Sequence, residues 1–406
     1  MAIRFSEVGF KTIGFDIDKK KISKIKSGES YINYIDNSNV STALQNGFIP
    51  TNSINKLSLV DVIIICVPTP LNEKNEPDLS YILNTIKSIE PFLKKNQILI
   101  LESTTYPGTT KEKIVPFIQN NNFIIGENYY IGYSPERVDP ANNQFNLINT
   151  PKIVSGYTHN CLNLVKELYD KIVDVVIPVS SLETAEMAKI LENIHRAVNI
   201  GLVNEMKIIA DKMNIDIFEV INAASTKPFG FTTFYPGPGL GGHCIPIDPF
   251  YLSWKAKQYG VDARFIKLAG EINTSMPEWV VKKLTNVLQK DKILFNKAKV
   301  LILGIAYKKN VGDYREAPSL KILELLRAKK IKTDYYDPYV PTMAPTRKYN
   351  YKMSSVKLSE KVLSLYDVVL LVTDHDIFDY DLIEKKSRVI VDTRGRFKKG
   401  SKIVKA

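Results

Sequence analysis

DVIIICVPTPLNEKNEPDLSYILNTIKSIEPFLKKNQILIL, residues 61–101, contains a strand pattern, a helix pattern and a second strand pattern in that order. Val62 to Val67 and Ile98 to Leu101 are short apolar runs rich in Val, Ile and Leu, as buried strands are. Between them, residues 79–94 carry apolar side chains at helical spacing. Two strands joined through a helix run parallel, so this segment predicts an α/β fold.

The same alternation continues on both sides of this segment and again near the C-terminus. The further strand patterns are Thr12 to Phe15, Phe123 to Ile125, Ile153 to Val154, Lys299 to Ile305, Thr333 to Tyr336, Val368 to Val372 and Val389 to Asp392. Further helical patterns cover residues 2–8, 18–26, 109–120, 159–171 and 319–329. Strands and helices that alternate at this spacing predict parallel sheets with helices on both faces, and the second such region begins near residue 295.

A long helix is predicted between these two regions. From Leu182 to Met213 the helical pattern contains no proline and only one glycine, Gly201. A helix of some 30 residues is unusually long for a globular domain. It usually connects domains or subunits, and we expect its apolar stripe to form the centre of a homodimer.

The composition excludes several classes of protein. The net charge is +12, but the lysines are scattered, and no aromatic and basic RNA-binding signature accompanies them, so we expect no nucleic-acid partner. Three cysteines at unrelated spacings and four histidines fit neither a disulfide framework nor a metal site. The cysteine usage fits a reducing cytoplasm, so a cytoplasmic protein is expected. No apolar run reaches the roughly 18 residues of a membrane span, so no membrane partner is expected.

One loop concentrates the chemically useful residues. GPGLGGHCIPIDP, residues 237–249, combines four glycines with His243, Cys244 and Asp248. Glycines let a backbone approach a ligand closely, and a cysteine in such a loop can be an exposed nucleophile. Small buried cysteines are also common, so the residues alone leave the role of Cys244 open. We expect Cys66 to lie in a strand core and Cys161 in helix packing.

Several motifs resemble the UDP-glucose/GDP-mannose dehydrogenase family over nearly the whole chain. They are CVPTP (66–70), ESTTYPGT (102–109), YSPERV (133–138), GGHCIPIDPFYL (241–252) and GIAYKKNVGDYRE (304–316). The GGHCIPIDPFYL form is similar to the branch that acts on UDP-N-acetylglucosamine. The resemblance implies two Rossmann-like parallel-sheet domains joined by the long helix: residues 1–178 for NAD, 179–292 as the central dimerisation region, and 293–406 for the UDP-sugar.

The resemblance also implies a reaction and its residues. NAD would accept hydride twice as the C6 alcohol of a UDP-sugar becomes a carboxylate, by way of a thiohemiacetal and a thioester on the cysteine, in the synthesis of surface polysaccharide precursors. The catalytic residues implied are Cys244, Lys189, Asn193, Asp248, Glu136 and Thr104. The cofactor-binding residues implied are Asp16, Lys21, Thr69 and Thr104. The substrate-binding residues implied are Glu136, Arg137, Lys189, Gly241, Lys308 and Arg394.

The start of the chain departs from the family pattern. Residues 1–10 resemble the second half of the family's first helix, so we expect the first strand and its G-x-G-x-x-G turn to lie upstream of Met1. Because that turn places backbone N–H groups on the cofactor's pyrophosphate, the first domain is expected to be truncated and to bind NAD weakly.

The residues are also compatible with other functions. The chain could be a redox-inactive form that binds a UDP-sugar, and a 3-hydroxyacyl or 6-phosphogluconate type of dehydrogenase shares the long helix but needs no cysteine loop. Without the resemblance, Lys189 would be a surface lysine, and Arg315 and Asp313 a structural ion pair. His243 is expected to have a structural or substrate-contact role, and His195 to be packed.

Overall fold

The structure is a computed structural model that describes residues 1–32, 35–72, 74, 76–139, 144–242, 245, 247–346 and 348–406. The chain divides into two compact units. The first contains Met1–Glu192 and Phe250–Val261, and the second contains Asn193–Pro249 and Asp262–Ala406. Among the described residues, no helix is both long enough and apolar enough to cross a membrane.

The described part of the first unit contains two sheets. The strands are β1 (Ile13–Phe15), β2 (Ile49–Thr51), β3 (Val62–Ile65), β4 (Gln97–Leu101), β5 (Tyr129–Tyr133), β6 (Lys152–Gly156) and β7 (Val176–Pro178). Strands β3 to β7 form one sheet in chain order, and β1 pairs with β2 in a separate two-stranded sheet. The predicted parallel arrangement is confirmed for β3, β4 and β5 and for β6 with β7, whereas β6 runs antiparallel to β5.

Helices cover this sheet because their apolar side chains recur at helical spacing. They are α1 (Ala2–Glu7), α2 (Lys19–Lys26), α3 (Asn37–Gln45), α4 (Ser80–Ile89), α5 (Val115–Asn120) and α6 (His159–Tyr169), and 3₁₀ turns occupy Ile54–Leu59 and Glu90–Phe92. A π-helical turn, Thr110–Ile114, leads into α5. Ile82, Ile86 and Ile89 lie on one face of α4 and are buried in the same core as Leu99 and Leu101 of β4.

The expected long helix is confirmed as α7 (Leu182–Lys212), with 31 residues. The second unit adds α8 (Ile217–Ser225), α10 (Arg264–Lys290), α11 (Pro318–Ala328), α12 (Glu360–Leu363) and α13 (Tyr380–Lys386), and α9 (Asp248–Gln258) lies at the division between the units. Gly201 of α7 lies against Ala269 of α10, because a Cβ at Gly201 would approach that residue within 3.2 Å. The glycine therefore allows the two helices to pack closely.

The sheet of the second unit is entirely parallel. Its strands are β8 (Lys299–Leu303), β9 (Lys332–Tyr336), β12 (Val368–Leu371), β13 (Ile390–Asp392) and β14 (Ile403–Lys405), and a small hairpin contains β10 (Thr342–Met343) and β11 (Met353–Ser354). The order is β14-β13-β12-β8-β9. The strand order switches at β8, because β9 lies on one side of it and β12 on the other. Ligands of open α/β sheets bind at the carboxyl ends of the strands at such a switch point.

Two local predictions were wrong. Phe123–Ile125 is not a strand, because Asn122 and Gly126 have positive φ angles of 62° and 94° and leave only three residues between two turns; the strand is β5. Cys66 is exposed rather than part of a strand core, because β3 ends at Ile65 and Cys66 already belongs to the following loop. Cys161 is buried on α6, as expected.

Candidate active site

The predicted cofactor residue Asp16 follows β1 directly. Its Oδ1 accepts a hydrogen bond from the backbone N–H of Asp18 at 2.8 Å, and its Oδ2 lies 3.0 Å from Nζ of Lys21. The hydrogen bond to Asp16 raises the pKa of the Lys21 ammonium. Asp16 and Lys21, both predicted from the sequence, therefore form a pair at a strand end, where a carboxylate can accept hydrogen bonds from ribose hydroxyls.

Thr69 and Thr104 lie on the loops that follow two adjacent parallel strands, β3 and β4. These loops are joined, since Oγ of Ser103 donates a hydrogen bond to the carbonyl oxygen of Val67 at 2.7 Å. Both threonines are half-buried. Hydroxyls and a carboxylate at the carboxyl ends of strands are a donor and acceptor set that fits a dinucleotide.

Glu136 and Arg137 follow β5. Oε1 of Glu136 accepts the backbone N–H of Val138 at 2.6 Å, and the other carboxylate oxygen lies 4.0 Å from Nζ of Lys152. The guanidinium of Arg137 contacts Oε1 of Glu192 at 2.7 Å through Nη2 and also donates to the carbonyl of Pro151. The predicted substrate contact Arg137 is thus already paired with protein groups.

Lys189 and Asn193 stand one helical turn apart on α7, so they share one face of that helix. Lys189 is half-buried, and Asn193 is buried. The half-buried Lys189 is therefore not the exposed surface lysine that the residues alone suggest. His195, expected to be packed, is exposed and makes one edge contact with the ring of Phe234.

Asp248 is the first residue of α9 and is 3% exposed. Nδ2 of Asn193, which is 2% exposed, donates a hydrogen bond to its Oδ2 over 2.5 Å. A buried carboxylate needs such partners, because an uncompensated charge away from water is costly. The contact unites two of the predicted catalytic residues that lie 55 positions apart in the chain.

The glycine loop, residues 237–249, is anchored at its first residue. The backbone N–H of Gly237 donates to Oδ1 of Asn204, and its carbonyl accepts from Nζ of Lys207, each over 2.9 Å. Burial, and secondly the nearby Arg394 guanidinium, lower the pKa of Lys207 to about 7. His243 and Cys244, which stand further along this loop, lie outside the described residues.

Gly241, predicted to contact substrate, lies against the second unit's sheet edge. A Cβ at this position would be 2.7 Å from Cβ of Tyr307 and 2.9 Å from Cδ of Pro318, so only glycine permits this approach. Gly304 is similar, because its φ is +78° and a Cβ there would lie 2.5 Å from the Thr373 carbonyl oxygen. The loops after β8 and β12 therefore pack closely at the point where the strand order switches.

Lys308 and Arg394 follow β8 and β13 and are half-buried. Nε of Arg394 donates to the carbonyl of Val372 at 2.7 Å, and its Nη1 would lie 3.0 Å from a Cβ at Gly237. Both cations follow strands of one parallel sheet, so they lie at the carboxyl ends of its strands. Two positive charges at this position can bind a diphosphate. The ion pair between Arg315 and Asp313 is confirmed, with Nη2 to Oδ2 at 2.7 Å, and Arg315 is exposed.

Three buried polar contacts were missed by the sequence interpretation. Glu186 of α7 accepts from the backbone N–H groups of Gly108 and Thr110, at 2.5 and 2.9 Å. Burial raises the pKa of Glu186 to about 7. The motif ESTTYPGT was a signal that this loop matters, but no local pattern shows which residue on a distant helix meets it.

The second missed contact is the buried pair of Lys152 with Glu102, and the third is that of His375 with Asp337. Nε2 of His375 lies 3.1 Å from Oδ2 of Asp337, and its Nδ1 accepts the backbone N–H of Asn310 at 2.9 Å. The same carboxylate oxygen accepts the N–H of Ile305. These bonds fix both ends of the loop that carries Lys308.

No cluster of three or more His, Cys, Asp or Glu side chains that could hold a metal ion occurs among the residues that the structure describes.

Comparison with known proteins identifies relatives over nearly the full length. Residues 1–173 match the NAD-binding domain of the UDP-glucose/GDP-mannose dehydrogenase family, residues 183–275 its central domain and residues 301–399 its UDP-binding domain. The chain is 33% identical to UDP-N-acetyl-D-glucosamine 6-dehydrogenase of Salmonella typhi, over 93% of this chain and 87% of that protein.

A second sugar is named among the relatives. UDP-N-acetyl-D-mannosamine dehydrogenase of Pyrococcus horikoshii is 34% identical, over 98% of this chain and 93% of its own length. A solved structure of UDP-D-ManNAc dehydrogenase from that organism superposes with a TM-score of 0.88, at 32% identity, and the match covers 98% of this chain and 93% of that one. Relatives named for two different sugars are thus similar to the chain at nearly the same level.

Proposed function

Because the chain belongs to the UDP-glucose/GDP-mannose dehydrogenase family, and is thus an NAD-dependent nucleotide-sugar dehydrogenase, we propose that it oxidises the C6 alcohol of UDP-N-acetylglucosamine to a carboxylate. The reaction removes four electrons in two steps. The observation that carries this proposal is the buried hydrogen bond between Asn193 and Asp248. It brings an amide and a carboxylate together at the end of the glycine loop that contains Cys244.

The cysteine makes the second oxidation possible. Cys244 adds to the aldehyde that the first oxidation forms, and the resulting thiohemiacetal is oxidised to a thioester, which water hydrolyses. Covalent capture divides a difficult reaction into easier steps and prevents the aldehyde from diffusing away. NAD, when bound, accepts a hydride in each oxidation, and Asp16, Lys21, Thr69 and Thr104 would hold it.

The remaining residues move protons and stabilise charge. Each hydride loss from an alcohol or thiohemiacetal requires a proton acceptor, and each tetrahedral oxyanion requires fixed hydrogen-bond donors. We assign these tasks to Lys189, Asn193 and Asp248. Asn193 and Asp248 are supported by their burial and by the hydrogen bond that fixes their orientation. Thr104 is assigned a position beside the reacting carbon, and Glu136 the activation of water for thioester hydrolysis.

The substrate is held mainly by groups that follow strands of the parallel sheet in the second unit. Lys308 and Arg394 would neutralise the diphosphate, and Gly241 would let the glycine loop approach the sugar. Glu136, Arg137 and Lys189 are assigned further contacts. The choice of N-acetylglucosamine rests on the GGHCIPIDPFYL motif and on the Salmonella typhi relative.

The assembly, location and pathway complete the proposal. A homodimer is supported by the exposed apolar residues of α7, which lie at Met187, Leu191, Leu202, Met206 and Ile209. We also propose a cytoplasmic enzyme that supplies surface polysaccharide precursors, with the three-domain division at residues 178 and 292.

The role of Cys244 is tested with Cys244→Ser. A hydroxyl is nearly isosteric with a thiol but a far poorer nucleophile, so acid formation should fall by orders of magnitude while calorimetry shows unchanged UDP binding. Cys161→Ser serves as the control, because that cysteine is buried in the first unit on α6. Acid formation at the parental rate by Cys244→Ser would remove the cysteine from the reaction.

A further inference from the structure

Lys152, the first residue of β6, is buried together with an acidic partner. Its side chain is 3% exposed, and its Nζ lies 2.8 Å from Oε1 of Glu102, whose side chain is also 3% exposed. Lysine is almost never fully buried unless it is paired, and removing both ions from water costs several kcal/mol each. A buried pair of this kind is weak evidence for stability, so its position in the fold matters more.

The pair lies where three neighbouring strands end or begin. Glu102 follows β4, Glu136 lies just after β5, and Lys152 opens β6. Strand β4 is parallel to β5, and β5 is antiparallel to β6, so these three residues lie at the same end of the strands. The loop that carries Thr104 follows β4 and lies at this end too.

The ammonium of Lys152 reaches the Glu136 loop directly. Besides Glu102, Nζ donates a hydrogen bond to the carbonyl oxygen of Pro135 at 3.1 Å, and it lies 4.0 Å from Oε2 of Glu136. The other oxygen of Glu136 is held by the backbone N–H of Val138. The carboxylate of Glu136 therefore has a backbone N–H donor at one oxygen and a fixed cation 4.0 Å from the other, and its side chain is 44% exposed.

Glu102 is itself fixed by two further donors. The hydroxyl of Tyr169 donates to its Oε1 at 2.6 Å, and Sγ of Cys66 lies 3.6 Å from its Oε2. The ammonium of Lys152 also lies 5.3 Å from the centre of the Tyr169 ring. Because its partners are held in this way, Lys152 has little freedom to move away from the Glu136 loop.

We propose that Lys152 is a positioning residue for hydrolysis: its ammonium, fixed by Glu102, holds the Glu136 carboxylate where it can take a proton from the attacking water. The inference rests on the proposed role of Glu136. In that step the water oxygen bonds to the thioester carbon and its proton passes to Glu136. The carbon–sulfur bond then breaks, which releases the uronic acid and returns the cysteine sulfur as thiolate.

The proposal is tested by stopping turnover with acid and measuring the intact mass of the protein. The probes are NAD and UDP-N-acetylglucosamine, with UDP-N-acetylmannosamine as a second substrate. The variants are Glu136→Gln and Lys152→Met. Lys166→Met is the control, because Lys166 of α6 forms an exposed pair with Asp170, which follows that helix. Slow hydrolysis with intact oxidation makes the acyl-enzyme accumulate, which a merely structural role would not produce.

We expect both Glu136→Gln and Lys152→Met to accumulate acyl-enzyme, whereas the parent and Lys166→Met do not. Acid formation by Lys152→Met should slow by about 10- to 100-fold, since a displacement of about 1 Å can cost about 100-fold. If Glu136→Gln accumulates acyl-enzyme but Lys152→Met turns over at the parental rate, the positioning role is wrong and that of Glu136 stands. If neither variant accumulates it, the role of Glu136 fails and this proposal with it.

A second variant distinguishes a folding defect from loss of the positioning role. Lys152→Met leaves the Glu102 charge buried without its cation, and breaking a buried pair destabilises a protein far more than removing both partners. The double variant Glu102→Gln/Lys152→Met should therefore regain most of the lost stability in chemical denaturation and still accumulate acyl-enzyme. Parental hydrolysis by a folded double variant would overturn the proposal.

Discussion

Asn193 and Asp248 are joined by a hydrogen bond from Nδ2 to Oδ2 at 2.5 Å, with both side chains at most 3% exposed. The bond connects the long helix α7 to the first residue of α9, at the end of the glycine loop. An amide that donates to a carboxylate keeps its own orientation fixed, and fixed donors are what a developing oxyanion requires. Removing either group should thus affect turnover more than substrate binding.

Asn193→Ala tests this relationship. Loss of one preorganised oxyanion donor costs about 100- to 1,000-fold in kcat, so we expect a fall of that size while the affinity for UDP stays within about twofold. Asn199→Ala is the matched control, because that side chain also lies on α7 but donates to the carbonyl of His195. Turnover by Asn193→Ala equal to that of the control would exclude Asn193 from the chemistry.

Lys308→Ala and Arg394→Ala should weaken substrate binding. A charge-assisted hydrogen bond contributes about 1.5–3 kcal/mol, so UDP affinity measured by calorimetry should fall roughly 10- to 100-fold. Lys309→Ala is a neighbouring control, since Lys309 pairs with the exposed Asp376. A turnover defect with unchanged UDP affinity would contradict the assignment of Lys308 and Arg394 to the diphosphate.

Lys207 should make stability depend on pH. Its pKa of about 7 in the folded protein lies below the ordinary value of 10.5, because burial disfavours the ammonium. Between those values the unfolded chain binds a proton that the folded chain lacks, so the free energy of unfolding rises with pH, by at most about 1.4 kcal/mol per unit. Below about pH 7 both states carry the proton and this dependence disappears.

The comparison uses Lys207→Met and Lys212→Met, a control at an exposed position of the same helix. In urea denaturation at pH 6, 7.5 and 9, the parent should gain stability relative to Lys207→Met only above about pH 7. Lys212→Met should follow the parent throughout. A constant difference between the parent and Lys207→Met across this range would show that the lysine keeps its ordinary titration.

The exposed apolar residues of α7 predict a homodimer. Leu191 and Leu202 are 61% and 54% exposed on this helix, and such apolar surface is normally covered in an assembly. Light scattering at micromolar concentration should give the mass of a dimer, and Leu202→Glu should give a monomer because it places a charge in the interface. Leu202→Met should stay dimeric; a monomeric parent would refute the prediction.

Local sequence patterns predicted most of the elements because strands and helices have characteristic spacings of apolar residues. They predicted α7 closely and most strands of the two five-stranded sheets, but they missed β5, β7 and β14. They also gave Phe123–Ile125 as a strand, where positive φ at Asn122 and Gly126 makes turns on both sides. The pattern shows only that these side chains are apolar, whereas the backbone turns on both sides prevent the segment from forming a strand.

The family motifs in the sequence predicted which residues belong to the candidate site. The sequence could not reveal that Lys152 is buried against Glu102, since the two lie 50 positions apart and meet only because β4, β5 and β6 are neighbours. Pairings of this kind depend on strand order, which no local spacing encodes. The contact of Glu186 with the loop at Gly108 likewise joins residues far apart in the chain, here a helix and a loop 78 positions away.

The central claim is a four-electron oxidation that uses NAD twice, and the ratio of NADH formed to uronic acid formed tests it most directly. The protein is incubated with NAD and UDP-N-acetylglucosamine, NADH is followed by absorbance, and the sugar product is quantified by mass spectrometry. The account predicts two NADH for each acid, with no free aldehyde. One NADH per product with aldehyde release, or no NADH at all, would contradict it.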